Sequence, residues 1–313
     1  MQYEWINNVA EMSPDYAIIE FRNIFNEKIE SNTLPENLTT LTFGHDFNQK
    51  IDPNTLPENL TALIFGHDFN QGINPNTLPE NLTTLTFGDL FNQKIESNTL
   101  SKNLTSLTFG EYFNRKIEPN TLPVKLIFLE FGHEFNQGID PNTLPENLTT
   151  LIFGWKFDQK IELNTLPENL TTLIFGHNFD QKIKPNTLPK NLTTLIFGRW
   201  FNQKIEPCSL PENLKNIIFN WIYLVRSAPI KQYIDMINSI HNYYYVKIFL
   251  GADIFDNSGL KWPIHVFKYR ENMWSPNIYE IQDKYTHTFY GPITVLINKE
   301  TFRLYSSAKS SLK

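Results

Sequence analysis

The 313-residue chain is 41% hydrophobic, carries a net charge of −6 and has one cysteine, which excludes an internal disulfide framework and a cysteine-built zinc site. Residues 220–313 hold 11 Lys/Arg against 7 Asp/Glu and residues 1–219 hold 16 against 26, so neither part is basic enough to make nucleic acid the expected partner. No run of about 18 apolar residues occurs, and the first residues lack a basic-then-apolar leader pattern, so the expectation is an intracellular, cytoplasmic setting with no membrane partner.

Residues 1–18 precede any regular pattern. Tyr3, Ile6, Asn7 and Ala10 have helical spacing, and Ser13-Pro14-Asp15 reads as a turn, which together predict a short N-terminal cap. From residue 19 to residue 219 one unit recurs every 22 residues, best seen in LPENLTTLTFGHDFNQKIDPNT at 34–55. Its aromatic stands at Phe43, Phe65, Phe87, Phe109, Phe131, Phe153, Phe175 and Phe197, with degenerate copies around Phe21 and Phe219. A fixed period in the twenties marks a solenoid, in which one coil cannot bury its apolar face alone and stacked neighbours share one core.

Within a coil, Leu41-Thr42-Phe43 alternates with the period of a strand, and stacking would place these strands side by side in a parallel sheet. Leu38, Leu41, Phe43, Phe47, Ile51 and Leu56 are expected to point inward, and Thr40 and Thr42 outward. Gly44 is read as permitting a tight turn, while Pro53 and Pro57 bar a regular helix on the return side. Rows headed by Asn37, Asn48 and Asn54 are read as amides that satisfy backbone groups in buried turns. Cys208 falls in the Asn54 row and is read as small, buried and structural. Asn-Leu-Thr sequons recur at Asn37, Asn59, Asn81, Asn103, Asn147, Asn169 and Asn191; being one position copied along the chain, they are read as structural rather than as glycosylation acceptors.

The pattern LPxNLxxLxFGxxFNQxIxPNT resembles the FNIP repeat, a leucine-rich-repeat relative numerous in social amoebae and in giant viruses of the mimivirus type. The resemblance covers residues 19–219, with Gln-Lys or Gln-Gly where the family name has Ile-Pro. It implies a leucine-rich-repeat-like solenoid and a protein-interaction scaffold. Some relatives carry an F-box ahead of the repeats, and residues 1–18 are too short to hold one.

After Phe219 the period stops. Residues 229–242 have helical spacing, and 243–251, 262–269 and 291–298 read as strands. The fold class expected overall is a repeat solenoid, a stack of 22-residue coils with one parallel strand each, followed over 220–313 by a small C-terminal α+β domain or cap.

No nucleotide loop, HExxH, GxSxG or CxxC motif occurs, so no catalytic residue, cofactor or metal ligand is assigned and a non-enzyme is expected. The row after the glycine reads His45, His67, Asp89, Glu111, His133, Trp155, His177, Arg199, and the next reads Asp46, Asp68, Leu90, Tyr112, Glu134, Lys156, Asn178, Trp200. His45-Asp46 and His67-Asp68 lie in adjacent coils within possible reach of a shared metal, but with no further ligand evident the expectation is that none is bound. Both rows vary while the core rows do not, which is how repeat proteins carry recognition. The expected function is therefore a scaffold that binds a protein partner through Tyr112, Glu134, Trp155, Lys156, Arg199 and Trp200. The alternative is a ligand-binding or enzymatic module in 220–313, near His241, His265 and His287, with the repeats as a docking arm. Outward-facing Ile152, Ile174, Ile196 and Ile218 form an apolar strip that something is expected to cover.

Overall fold

The computed structural model describes residues 3–6, 13–220 and 246–249. Twelve parallel strands form one sheet, and each strand pairs with its predecessor and successor in the chain. They are β1 (Tyr3–Ile6), β2 (Ile18–Phe21), β3 (Thr40–Thr42), β4 (Ala62–Ile64), β5 (Thr84–Thr86), β6 (Ser106–Thr108), β7 (Phe128–Glu130), β8 (Thr150–Ile152), β9 (Thr172–Ile174), β10 (Thr194–Phe197), β11 (Asn216–Asn220) and β12 (Val246–Phe249). Between repeats the register is one period: Leu41 faces Leu63, Leu63 faces Leu85, and Leu173 faces Leu195. Strands β3 to β10 are three or four residues long, and a glycine follows each within two residues.

The core follows the predicted rows. Leu38, Leu41 and Phe47 are fully buried, and Phe43, Ile51 and Leu56 nearly so, as are their counterparts in the other coils. The two Phe rows interlock: the Phe43 and Phe47 rings lie 3.8 Å apart within a coil, and Phe43 stacks on Phe65 at 5.6 Å in the next. Such offset ring stacks add to the burial of apolar area that holds coil on coil.

Each coil turns three times. In the coil of β3, backbone bonds from Phe47 N–H to the Gly44 carbonyl, Thr55 N–H to Asp52 and Leu60 N–H to Pro57 close three β-turns. The Asp52–Thr55 turn has Pro at its second position and Asn54 at φ 62° in the third, the signature of a type II turn. The same left-handed Asn recurs at Asn32, Asn76, Asn98, Asn120, Asn142, Asn164 and Asn186. This corrects the expectation for the Asn54 row: it is exposed, and backbone conformation selects its Asn, not a buried amide. Cys208, which replaces Asn in that row, is likewise exposed rather than buried. There the turn becomes a 3-10 segment, Pro207–Ser209, the one helical segment among the described residues.

Polar ladders join the coils. Asn26 Oδ1 accepts the Asn48 N–H at 2.9 Å and the Gln49 amide at 3.1 Å, and the arrangement repeats from Asn48 to Asn70 and Gln71. At Asp158 and Asp180 a carboxylate takes over the same acceptor role. The sequon is two further ladders with a core leucine between them. Asn59 donates to the Glu36 carbonyl and Thr61 to the Thr39 carbonyl, each in the preceding coil. A buried Thr row at 55, 77, 99, 121, 143, 165 and 187 was not anticipated; Thr187 donates its hydroxyl to the Lys184 carbonyl at 2.8 Å.

The Gly44 row has a reason other than turn conformation. A Cβ at Gly66 would run into the Gly44 carbonyl, and one at Gly88 into the Gly66 carbonyl, so the glycines are where adjacent coils approach most closely. At the N-terminus Tyr3–Ile6 is a strand paired in parallel with β2, not helix. Four residues are too few for a periodicity to decide, and the open edge of β2 offers a full set of hydrogen-bond partners. At the other end, β12 extends the sheet beyond β11, within the strand expected at 243–251. The remaining tail expectations, the helix at 229–242, the strands at 262–269 and 291–298, the α+β unit and the tail histidines, lie outside the described residues. No helix among the described residues is long and apolar enough to cross a membrane.

Candidate partner-binding edge

The two variable rows occupy the central positions of the turn that follows each strand. In the coil of β3 this turn runs Gly44-His45-Asp46-Phe47, and its outer backbone is cross-bonded to the neighbours: Asp46 N–H donates to the Asn23 carbonyl and Asp68 N–H to the His45 carbonyl. Gly and Phe pin each turn to the core, and its two middle side chains project along one edge of the solenoid. The frame thus fixes where these side chains stand without fixing what they are.

The six predicted contact residues all lie on this edge, but in different states. Tyr112 and Trp200 are 46% and 48% exposed, unusually open for large rings. The Arg199 guanidinium stands 5.2 Å from the centre of the Trp200 ring, within cation–π range. Lys156 is exposed and donates to Glu134 Oε2 at 2.5 Å, while His133 Nδ1 lies 2.9 Å from Glu134 Oε1. The bond from Lys156, then that from His133, holds the Glu134 carboxyl below the usual range. Trp155 is only half-exposed: its ring is sandwiched between His133 at 5.3 Å and buried His177 at 3.9 Å. The sequence signal for that sandwich was the reading along the row, His-Trp-His, rather than along the chain.

At the N-terminal end the same edge carries a different group. The His45 and His67 rings stack in parallel, 4.4 Å apart and 6° from coplanar orientation. His45 Nδ1 lies 2.7 Å from Asp46 Oδ1, and His67 Nδ1 2.6 Å from Asp68 Oδ1. One donor atom each from His45, His67 and Asp68, all residues named from the sequence, falls within 4.8 Å of the others.

The sheet face outside the strands is half-buried by its own neighbours, Ile152, Ile174, Ile196 and Ile218 included. Glu130 sits in this row between Thr108 and Ile152, and burial pushes its carboxyl above the usual range. The coil of β7 is irregular on a second side too. Lys125 replaces the sequon Asn and donates to Asn103 Oδ1 at 2.7 Å, and Val124 and Ile127 are exposed beside it.

The FNIP Repeat family model matches this chain at residues 25–68, 47–90, 91–134, 135–178, 157–200 and 201–223. The chain belongs to the FNIP repeat family. Among curated proteins none matches it. A solved structure described as "The crystal structure of CroV588 a novel circular LRR protein structure" is 47% identical over 67% of this chain, with a TM-score of 0.66. The match spans 31% of that protein, so the FNIP chain corresponds to about a third of its length. The leucine-rich-repeat-like architecture expected from the repeat is thereby shown for the FNIP solenoid, on a neighbour from a giant virus.

Proposed function

We propose that this FNIP protein is a non-enzymatic scaffold that binds a protein partner through the turn edge running from Tyr112 to Trp200. The observation that carries the reading is the pair of large rings, Tyr112 and Trp200, held open to solvent on a frame that buries its rows of Phe rings. Four strand spacings separate their coils, roughly 19 Å, a span within the footprint of an ordinary protein interface. Both rings expose broad area with few rotamers to freeze on binding. Glu134, Lys156 and Arg199 lie between or beside them and supply charge that sets orientation and association rate. Repeat solenoids as a class act through such extended surfaces. Nothing in the edge brings together a nucleophile, a base and an enclosed cavity, and the reading needs none.

The test is affinity capture from native cells with Tyr112→Ala/Trp200→Ala as bait beside the unchanged protein. Partners recovered with the unchanged chain should be lost, at a cost of roughly 2 kcal/mol or more per ring. Both side chains are outside the core, so circular dichroism should be unaltered. Trp155→Ala is tested separately, because it also removes stacking on His133 and His177. Equal recovery with the double variant would move recognition away from this edge.

A further inference from the structure

We propose that His45, His67 and Asp68 form a binding site for one divalent transition-metal ion of the zinc class, with its fourth position open to water. The site lies on the turn edge of the coils of β3 and β4, apart from the Tyr112–Trp200 surface.

Three observations carry it. First, the donor atoms are already gathered. Asp68 Oδ1 is 2.6 Å from His67 Nδ1 and 4.0 Å from His45 Nδ1, and an ion would displace Asp46 Oδ1, 2.7 Å away, as the partner of His45 Nδ1. Metal–ligand bonds of about 2.1 Å at tetrahedral angles put ligand atoms about 3.4 Å apart, so a small turn of the Asp68 carboxylate equalises its two distances around an ion. Second, the two imidazoles are stacked in parallel, each with Nδ1 on the Asp beside it, and Asp68 Oδ1 lies within 4.0 Å of both Nδ1 atoms. The stack brings two nitrogen donors to one side, which is what a shared ion needs. Third, the turns bearing them are cross-bonded through Asp46 N–H to Asn23, Asp68 N–H to His45 and Leu90 N–H to His67, so little backbone order remains to be imposed on binding.

The donor set defines the ion. Two imidazoles, one carboxylate and a water suit Zn2+, Co2+ or Ni2+, whereas Ca2+ and Mg2+ call for oxygen-only shells of higher number or octahedral water. His45 is exposed and His67 and Asp68 half-buried, so an ion there faces solvent. A water on it could be exchanged for a side chain of another molecule. Asp89 Oδ2 lies 3.9 Å from His67 Nε2, on the far side of that ring and beyond hydrogen-bond range.

The molecule contains its own control. His133 and Glu134 hold the same two positions two coils beyond Asp89, but Trp155 follows where a second His would be needed. The experiment is calorimetric titration of the full chain with ZnCl2, repeated with CoCl2 and its visible absorption, in a Cys208→Ser background that removes the exposed thiol. Expected is one ion per chain at this site, weakened more than about tenfold by His67→Ala and by Asp68→Asn and unchanged by His133→Ala. Asp68→Asn keeps the side-chain shape and the turn, so its loss of binding reports ligation rather than folding. No binding in the unchanged protein, or binding equally retained in His67→Ala and Asp68→Asn, would overturn the site.

Discussion

The Phe43 and Phe47 rows and the His45 row run side by side along one frame, two residues apart in every coil, and behave as opposites. The Phe rows keep one residue through the repeats because each ring is buried and stacks on the next. The His45 row passes from His-His-Asp through Glu to His-Trp-His-Arg, because its side chains meet solvent and their own neighbours rather than the core. Backbone bonds hold both rows equally in place. The contrast shows a division of labour in which position is supplied by the rows that cannot change and chemistry by the rows that can. A change to the first should cost stability, and a change to the second should cost binding.

The sharpest way to break that division is a charge at one face of a strand or the other. Leu151 on β8 is fully buried, and Thr150 beside it is half-buried on the outer face. Leu151→Asp should cost several kcal/mol in chemical unfolding, as an unpaired charge in apolar surroundings does. Thr150→Asp should cost under about 1 kcal/mol. Equal losses would mean the strand has no inner and outer face.

Next is Gly110→Ala, which tests whether the frame is limited by backbone approach. The new methyl would collide with the Gly88 carbonyl, and the nearest atoms are all backbone of the preceding coil, so nothing flexible can yield. A loss of about 3 kcal/mol is expected, at the upper end for overpacking. Gly138, with open space where a Cβ would stand, should accept Ala with little change.

These two cases also mark what the sequence could and could not disclose. Leu151 and its row were legible because burial is demanded in each coil and the demand repeats at a fixed step. Gly110 was legible as important, but its reason lay in the distance to a residue 22 positions away. The same limit hid the Thr61 ladder inside a glycosylation-like motif and the sandwich of Trp155. Both depend on contacts between coils, visible only when the sequence is read down its rows. Tyr3–Ile6 was misread because a single short segment carries no repeat to average over. At the site, the openness of Tyr112 and Trp200 could be expected from their turn positions. The shared orientation of His45 and His67 could not, since ring rotation is not a property of spacing.

Smaller effects are expected where the frame asks for a backbone shape rather than a contact. Asn142 has φ 62° in the turn closed by Thr143 N–H on the Asp140 carbonyl. Asn142→Ala should cost about 1 kcal/mol, because a Cβ without a local polar group disfavours the left-handed region. Asn142→Gly should be near neutral, since Gly enters that region without steric cost. If both variants unfold alike, the Asn side chain and not the turn conformation carries the position.

The smallest predicted change has the opposite sign and falls on the sheet face. Glu130 stands between Thr108 and Ile152 in a row that from Thr42 to Ile218 is otherwise Thr or Ile, and burial raises its carboxyl above the usual range. A folded-state value above the unfolded one means the native state holds the proton more tightly. Below the unfolded value both states are protonated and Glu130 carries no penalty; as pH rises through the folded value the penalty for its ionised form becomes complete. Glu130→Thr should therefore raise the unfolding midpoint modestly at pH 7 and lose most of that gain by about pH 4, near the ordinary carboxylate value. The comparison of unfolding curves at the two pH values decides it. A gain that persists undiminished at low pH would belong to strand propensity or packing of Thr and not to the buried charge. A destabilised variant at pH 7 would mean that the carboxylate is held by a favourable interaction on this face that outweighs its burial.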